Sequence, residues 1–229
     1  MKRITVKIIE YIGVLMSFIW SPHVSLCLSK IRNRIYTGYV RRRFGAFGRS
    51  IIIWHPYTLI GLKNIHVGDN TILEKDIQLT ARSVNASSPY IKIGNGCLIR
   101  KGSHITAIES ITIGDNLLTG TNIYITDNSH GMTDYASLHT PPTNREIISK
   151  GRVIIGNNVW IGNNVCIMPG VTIGDGVVIG ANSIVTHDIP AYSVAAGIPA
   201  TKINCIYPYN NEYKNHSIIP PSISSDTRK

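Results

Sequence analysis

A six-residue repeat near the C-terminal end constrains the fold of this chain more than any other feature. One register of the repeat is Ile155, Ile161, Ile167, Ile173, Ile179 and Val185, and a second is Val159, Val165, Val171, Val177, Ser183 and Ile189. An α-helix repeats near 3.6 residues and a strand repeats at 2, so neither alone produces a period of six. A coil with three flat sides does, because each side takes six residues. The period predicts an all-β solenoid rather than an antiparallel sandwich, with one aliphatic side chain per side stacked inward on its equivalents in neighbouring coils.

The corners between the sides are predicted from short polar sequences. Tight corners need residues that accept positive φ, which Gly does freely and Asn and Asp tolerate. The predicted corners are Gly156-Asn157-Asn158, Gly162-Asn163-Asn164, Gly174-Asp175-Gly176 and Gly180-Ala181-Asn182. The period also occurs upstream, which indicates about five coils between residues 65 and 190. Residues 81–90 and 131–152 interrupt it, and long loops in a regular solenoid are usually functional or disordered.

The positive charge of the chain is concentrated at its N-terminus. The net charge is +10, and residues 1–50 contain ten Lys or Arg and one acid. One helical face in this segment is apolar, formed by Ile4, Ile8, Tyr11, Ile12, Leu15, Phe18 and Ile19. Two interpretations stay open: residues 1–45 lie peripherally on an anionic membrane surface, or the helix packs on the solenoid and covers its open end. Lys7 and Glu10 disfavour a membrane span and a signal peptide.

The absence of a nucleic-acid motif, the spacing of the cysteines and the loss of periodicity after residue 205 limit the expected partners and the domain organisation. No recognition motif accompanies the basic charge, so nucleic acid is not an expected partner. The four cysteines have no metal-ligand spacing, which predicts no metal site and fits a cytoplasmic location. Residues 206–229 lose the periodicity. The expected organisation is therefore a basic segment 1–50, a solenoid 51–205 with the excursion 131–152, and a disordered tail 206–229.

His130 is the candidate catalytic residue. It lies where the repeat stops and the excursion begins, at the edge of a rigid coil and beneath a mobile loop. Its unperturbed pKa of about 6.5 suits removal of a proton from a hydroxyl near neutral pH. Asp127 or a backbone carbonyl is a candidate to fix its tautomer, with Asn128 as further support. The simpler alternative is a histidine that only caps a turn.

Residues 65–203 resemble the hexapeptide-repeat acyltransferases, and among them the sugar O-acetyltransferases of the galactoside/maltose and capsule/O-antigen branch. The motifs that carry the resemblance are Asp127-Asn128-Ser129-His130-Gly131, Val153-Ile154-Ile155-Gly156-Asn157-Asn158-Val159-Trp160-Ile161-Gly162, Pro169-Gly170-Val171-Thr172-Ile173-Gly174-Asp175-Gly176, Ser183-Ile184-Val185-Thr186-His187-Asp188-Ile189-Pro190 and Ala196-Gly197-Ile198-Pro199-Ala200. The resemblance implies a left-handed parallel β-helix, here preceded by a short helical segment.

The resemblance also implies a reaction and its partners. It implies a homotrimer that binds acetyl-CoA between neighbouring subunits and needs no metal. His130 would deprotonate a saccharide hydroxyl, on a bacterial surface polysaccharide or its precursor, for direct attack on the thioester in a ternary complex. The enzyme would act in the cytoplasm or on the inner face of the cytoplasmic membrane. The implied cofactor residues are Trp160, Asn163, Ala181, Thr186, His187 and Lys202, and the implied acceptor residues are Arg100 and His104.

The sequence departs from the family pattern at two positions. His187 stands where relatives often have Lys, and Thr201 replaces an expected Lys or Arg, with Lys202 one place later. These positions help to bind nucleotide phosphates in relatives, so CoA affinity is weaker here or His187 and Lys202 substitute. Arg100 and His104 predict a basic acceptor pocket, which would suit an acidic sugar.

Three alternatives have other consequences. A γ-type carbonic anhydrase needs three convergent histidines, for which the candidates are His104, His130 and His139, but the chain has no His-x4-His pair. Virginiamycin-type antibiotic acetyltransferases share a histidine followed two residues later by methionine, as in His130-Gly131-Met132. A non-catalytic scaffold tethered by its basic N-terminus would tolerate the loss of His130.

Overall fold

The structure is a computed structural model that describes residues 3–19, 21–55, 58–84 and 88–205. Two helices, α1 (Arg3–Ile19) and α2 (Pro22–Arg41), precede a solenoid of six coils. The strands of the first four coils are β1 (Ala46–Phe47), β2 (Ile52–Ile53), β3 (Thr58–Ile60), β4 (Ile65–Val67), β5 (Ile72–Leu73), β6 (Gln78–Ala81), β7 (Tyr90–Ile93), β8 (Leu98–Ile99), β9 (His104–Ala107), β10 (Ser110–Ile113), β11 (Leu118–Thr119) and β12 (Tyr124–Thr126).

An excursion and two further coils complete the chain that the structure describes. Their elements are β13 (Asn128–His130), α3 (Tyr135–His139), β14 (Ile147–Ser149), β15 (Val153–Ile155), β16 (Trp160–Ile161), β17 (Cys166–Ile167), β18 (Thr172–Ile173), β19 (Val178–Ile179), β20 (Ile184–Val185), β21 (Ser193–Gly197) and β22 (Ala200–Cys205). Equivalent strands of successive coils pair in parallel. Each side of the solenoid is therefore one sheet: sheet A from β1 to β18, sheet B from β2 to β19 and on to the β21–β22 hairpin, and sheet C from β3 to β20.

The core is a stack of inward-pointing pairs. On each side, two residues that are two positions apart are buried, for example Val159 with Ile161 and Val165 with Ile167. The expectation of one inward residue per side was wrong, because alternate residues of a strand share a face. Both registers of the six-residue repeat therefore form the core, and each coil is buried by its neighbours.

In the corner of residues 156–158, three consecutive residues have different structural roles. At the corner of residues 156–158, Gly156 has no positive φ, but a Cβ there would lie 2.7 Å from the backbone nitrogen of Asp175 in the next coil. Asn157 follows, and its side-chain oxygen accepts a 2.8 Å hydrogen bond from the N–H of Asp115. Asn158 has the positive φ, 55°. The glycine is therefore required by close approach, and the left-handed conformation predicted for this corner belongs to its second asparagine.

Within the described residues, the interruptions of the repeat occur at one corner, between sheet C and sheet A. Residues 82–84 after β6, the two-residue extension Ile108-Glu109 and residues 127–152 leave the solenoid there in successive coils. The inserted segments therefore lie beside one another along one edge, although they are far apart in sequence. The apparent shift of the repeat near residue 111 is the extension by Ile108 and Glu109.

The excursion is an ordered hairpin and not a structureless loop. β13 and β14 pair antiparallel, with His130 opposite Ile147. Between them, Asp134 caps α3 by accepting a 2.9 Å hydrogen bond from the N–H of Ser137. The Arg145 Nε donates to the carbonyl of Thr140 at 2.8 Å, which holds the far end of the excursion together.

The two N-terminal helices differ in how they relate to the solenoid: α2 packs on it, whereas α1 keeps an exposed apolar surface. α2 packs on the first coil, where the N–H of Ile53 donates to the buried Thr37 hydroxyl at 2.9 Å and Val40 is buried. α1 leaves apolar side chains in solvent, and Ile8, Ile12 and Leu15 are each half exposed or more. Within the described ranges, no helix is long and apolar enough to cross a membrane. The predicted tail, residues 206–229, lies outside the described residues.

Candidate active site

A groove of about 410 Å³ runs along the outer face of sheet C and is bounded by the β13–β14 hairpin. The described residues that line it are Thr58, Ile60, Gln78, Thr80, Arg82, His104, Thr106, Ile108, Tyr124, Asn128, His130 and Ile147. His104 and His130 thus lie in the same depression. The lining side chains offer imidazole, hydroxyl, amide and guanidinium groups, and three isoleucines add apolar surface.

His130 is positioned by the hairpin. It ends β13, and Asn128 shares its face of that strand because alternate residues point the same way. Gly131 follows at a φ of 75° and donates to the carbonyl of Glu146 at 2.8 Å, which turns the chain away from the ring. The imidazole is therefore exposed at the rim of the groove, on a backbone held by strand pairing.

Asp127 supports the neighbouring coil and does not orient His130. Its carboxylate is fully buried and accepts hydrogen bonds from the backbone N–H groups of Ile108 at 3.0 Å and Glu109 at 2.8 Å. The Asn128 side-chain amide donates to the same carboxylate at 3.0 Å and to the carbonyl of Thr106 at 3.3 Å. No hydrogen bond within the described chain joins Asp127 to His130. The expectation that Asp127 fixes the tautomer of His130 is therefore not supported by the geometry.

His104 forms the inner part of the groove. Burial disfavours its charged form and lowers the pKa of the imidazole from its ordinary value. Its ring centroid lies 5.4 Å from that of Tyr124, the register partner on the next strand. This pair gives the groove one neutral, aromatic wall.

A second groove, of about 590 Å³, lies on sheet B and its following corner. Trp160, Asn163 and Ala181, which the sequence predicts at the cofactor site, all line it. The Trp160 side chain is 55 % exposed and therefore available to a ligand. The Asn163 side-chain oxygen accepts from the N–H of Thr121 at 2.8 Å, so this residue also joins two coils.

Arg100 does not lie where the sequence analysis expected it. It lines the sheet B groove beside Trp160, and its Nε lies 3.4 Å from a carboxylate oxygen of Glu74. His104 is only four residues further along, but a corner of the solenoid lies between them, so the two side chains face different grooves. The prediction that Arg100 and His104 together form a basic acceptor pocket was wrong for Arg100.

The other predicted cofactor residues lie outside the sheet B groove. Thr186 and His187 follow β20 on the sheet C side of the last coil, with the Thr186 hydroxyl 2.8 Å from the His187 Nδ1. Lys202 lies on β22, opposite Ala195 of the terminal hairpin. A single subunit therefore gathers three of the six predicted cofactor residues around one groove.

Several groove residues, including Gln78, Arg82 and Tyr124, were missed by the sequence analysis. Gln78 and Tyr124 are the register partners of His104 on the two adjacent strands of sheet C, so the three side chains point outward at the same height. Counting back by one coil from His104 leads to Gln78 and, at the end of β6, to Arg82. The length of each coil was the signal that could have found them, but the interruptions at the third corner hid it.

The three candidate zinc histidines do not converge. His104 and His130 share a groove, whereas the Nδ1 of His139 donates to the carbonyl of Tyr135 within α3 at 2.8 Å. In the part of the chain that the structure describes, no group of three or more His, Cys, Asp or Glu side chains could hold a metal ion.

Two family profiles match the solenoid. The profile described as bacterial transferase hexapeptide (six repeats) matches residues 152–187. The profile described as hexapeptide repeat of succinyl-transferase matches residues 90–127. Both matched ranges consist of coils with the six-residue repeat, on either side of the His130 excursion.

One sequence relative is similar to about half of this chain. A protein of Escherichia coli K12, provisionally named lipopolysaccharide biosynthesis O-acetyl transferase WbbJ, is 44 % identical over 115 residues, which are 48 % of this chain and 57 % of that protein. The match thus spans just over half of that relative's length.

Solved structures share the fold. The N-acyltransferase AntD from Bacillus cereus, determined with dTDP and 3-hydroxybutyryl-CoA, aligns with a TM-score of 0.61 at 20 % identity over 74 % of this chain and 87 % of AntD. The polySia specific acetyltransferase NeuO aligns with a TM-score of 0.53 at 29 % identity over 72 % of this chain and 73 % of its own. With the hexapeptide profiles, these matches confirm the predicted left-handed parallel β-helix.

Proposed function

The chain belongs to the hexapeptide-repeat acyltransferases, and from this premise we propose that it transfers an acetyl group from acetyl-CoA to a saccharide hydroxyl. The observation that carries the proposal is the position of His130 at the rim of a groove that is lined by both polar and apolar side chains. Such a groove suits a sugar, which has apolar C–H faces and polar edges. The acceptor class that we propose is a bacterial surface polysaccharide or its precursor.

In the proposed reaction, His130 acts as general base. As a neutral imidazole it accepts the proton of the acceptor hydroxyl, while the hydroxyl oxygen bonds to the thioester carbonyl carbon. The carbon–sulfur bond then breaks, and His130 returns the proton to the departing sulfur. Direct transfer needs both substrates bound at once, in agreement with two separate grooves.

The sheet B groove fits the cofactor. It extends over neighbouring coils and presents the Trp160 indole, the apolar Leu118 side chain and the corner at Ala181. A pantetheine arm is long and flexible with two amides, so an apolar wall with nearby backbone groups is a suitable surface. Thr186 and His187, on the sheet C side, would then reach the nucleotide end across a subunit boundary, whereas Lys202 lies on the hairpin that extends sheet B.

A homotrimer supplies that boundary. The outward residues of sheet B form an uninterrupted apolar row in register, in contrast to sheet A, where His66 and Lys92 occupy the row. The row consists of Ile52, Ile72, Leu98, Leu118, Trp160, Val178 and Val194. A row of this kind on a solenoid side suits burial against another copy of the chain. The neighbouring copy would bring its His130 groove to the cofactor groove.

The test of the proposed reaction is thiol release from acetyl-CoA with a panel of bacterial capsule and O-antigen saccharides and one hydroxyl-bearing antibiotic. We expect saccharide-dependent release that falls about 10²- to 10⁴-fold in His130→Ala. His139→Ala, in the same excursion but outside the groove, is the matched control and should retain activity. Release with the antibiotic alone, or equal rates in His130→Ala and the wild type, would contradict the proposal.

We also propose that α1 and α2 hold the enzyme on the inner face of the cytoplasmic membrane. α2 is fixed to the first coil through Thr37, and its opposite side exposes Val24 and Ile31. α1 exposes further apolar side chains, and the basic residues of the segment lie among them. An exposed apolar surface with adjacent cations suits insertion among anionic headgroups.

Single substitutions on α1 test the membrane proposal. Removing residues 1–45 would also strip Thr37 and Val40 from the first coil, so a substitution is cleaner. Ile12→Glu places a charge on the apolar face, and Ser17→Glu places the same charge on the polar face. We expect co-sedimentation with vesicles of phosphatidylcholine and about 30 % phosphatidylglycerol to be lost in Ile12→Glu and largely kept in Ser17→Glu. Equal pelleting of all three proteins would refute membrane docking.

A further inference from the structure

The sheet C groove contains a positive charge that comes from Arg82 and not from Arg100. Arg82 directly follows β6, and its side chain lines the groove together with His104 and His130. The N–H of Arg82 donates to the carbonyl of Ala107 at 3.0 Å, which fixes its backbone to the next coil. Its guanidinium is therefore presented from a rigid strand end.

Within the described residues, this charge has no carboxylate counter-ion in the groove. Among the described residues, no Asp or Glu lines the groove and no ion pair includes Arg82. Arg100, by contrast, lies 3.4 Å from Glu74, and Arg49 lies 3.0 Å from Asp69. An arginine left without a carboxylate partner inside a binding groove is free to bind an anion of the ligand.

Two acidic side chains of the neighbouring segments face a different depression. Glu109 and Glu146 line a neighbouring depression of about 370 Å³, and Ile108 and Ile147 separate it from the groove. Glu109 accepts a short hydrogen bond from the hydroxyl of Ser149. Among the described lining residues, Arg82 is therefore the one with a permanent charge, and the buried Asp127 carboxylate is occupied by hydrogen bonds from Ile108, Glu109 and Asn128.

We infer that the groove selects an acidic saccharide, in which a carboxylate or phosphate of the acceptor pairs with Arg82 while its hydroxyl faces His130. This inference rests on the proposed O-acetyl transfer and names its acceptor class. Tyr124 and Ile60 offer apolar surface to the sugar ring, and Thr80 and Thr106 offer hydroxyls to its polar edge. Arg82 is thus a specificity-determining residue that binds the acceptor without taking part in proton transfer.

The experiment compares acceptors that differ only in charge. kcat/KM is measured for a neutral hexoside, the matching hexuronide and the matching hexoside phosphate, with wild type, Arg82→Gln and Arg82→Lys. Lys92→Gln is the control, because it removes one positive charge from the outer face of sheet A in the adjacent coil. We expect the wild type to prefer an anionic acceptor about tenfold, and Arg82→Gln to reduce kcat/KM about tenfold more for the anionic acceptors than for the neutral hexoside. Arg82→Lys should keep part of the preference for anionic acceptors. The acceptor with the higher kcat/KM shows whether Arg82 pairs with a carboxylate or with a phosphate.

Equal use of neutral and anionic acceptors by the wild type would overturn the inference, as would an equal loss on all acceptors in Arg82→Gln. A binding measurement tests the anion site at Arg82 independently of the transfer reaction. Calorimetric titration of His130→Ala with the hexuronide and the hexoside phosphate should show binding that weakens about tenfold when Arg82→Gln is added. Binding without turnover in the wild type would refute the proposed reaction and retain the anion site. Absence of Arg82-dependent binding would refute the site itself.

Discussion

At the scale of single residues, Asp127 shows how a motif position can serve the fold instead of the chemistry. Its buried carboxylate satisfies two backbone N–H groups of the neighbouring coil, at Ile108 and Glu109. We expect Asp127→Ala to lower the free energy of unfolding by about 2–4 kcal/mol, because it leaves both donors unpaired, and Asp127→Asn to cost less because one acceptor oxygen remains. The melting temperatures test this ranking: Asp127→Ala should melt at a lower temperature than Asp127→Asn, and both should melt below the wild type.

The same variants test the role that the sequence analysis assigned to Asp127. If Asp127 only braces the coil, the pH at which kcat is half-maximal should be the same in Asp127→Asn and the wild type. A shifted acid limb with an unchanged melting temperature would instead show that the carboxylate acts on His130.

Burial of His104 makes stability depend on pH in a defined direction. Because burial lowers the pKa of His104, the unfolded chain takes up a proton on this ring at a higher pH than the folded protein. Stability therefore falls as the pH drops through the unfolded value of about 6.5, and the loss is complete below the folded pKa. The melting temperature of His104→Gln should decline less between about pH 7.5 and 5.5 than that of the wild type. His23→Gln, an exposed position on α2, should follow the wild type, and parallel curves for all three would contradict the prediction.

The sequence predicted which residues point into the core, because the repeat determines this. It did not predict which groove an outward residue lines, because that depends on the length of each coil. The period placed Ile161, Ile167 and their equivalents in the core, because a stacked coil leaves no other place for them. It could not separate Arg100 from His104, since a four-residue interval does not reveal that a corner intervenes. Arg82 was missed because the loop that follows it breaks the count between coils.

At the scale of the elements, the corner glycines allow close stacking of the coils. A Cβ at Gly156 would lie 2.7 Å from the backbone nitrogen of Asp175, whereas one at Gly38 in α2 would meet nothing within 4 Å. We expect Gly156→Ala to destabilise the protein by about 1–3 kcal/mol through overpacking. The same change at Gly38 should stabilise it by up to about 1 kcal/mol, because alanine has the higher helix propensity.

Thermal denaturation of the two glycine variants gives a direct comparison of one chemical change in two elements. The melting temperature should fall for Gly156→Ala and rise or stay level for Gly38→Ala. A similar rise in both would show that the coils are not in contact at this corner.

Elements with the repeat could be predicted, and elements without it needed the structure. The coils from β4 onward follow from the six-residue period, and Phe47, Ile53 and Leu59 extend the same spacing into the coil β1–β3, which the predicted count of five coils from residue 65 left out. The excursion was identified by the missing repeat. Its β13–β14 hairpin could not be foreseen, since residues 128–130 and 147–149 lack the alternating pattern of a hairpin.

At the scale of the whole molecule, the solenoid separates the two halves of the proposed site. The His130 groove lies on sheet C and the Trp160 groove on sheet B, and they share no lining residue. Sheets B and C face outward in different directions on a rigid coil. In the proposed trimer, one subunit would present its sheet C to the sheet B of its neighbour, and a closed three-fold ring would complete each site in this way.

Co-expression of two inactive variants tests this arrangement. His130→Ala removes the base, and Ala181→Trp fills the cofactor groove while leaving His130 intact. In randomly mixed trimers, about one quarter of the sites would combine His130 of one subunit with the open groove of another, so about a quarter of wild-type activity should return. Mixing the purified homotrimers without subunit exchange is the control and should restore none. If the site lay within one subunit, every mixed trimer would be inactive, because each subunit would lack either its base or its cofactor groove.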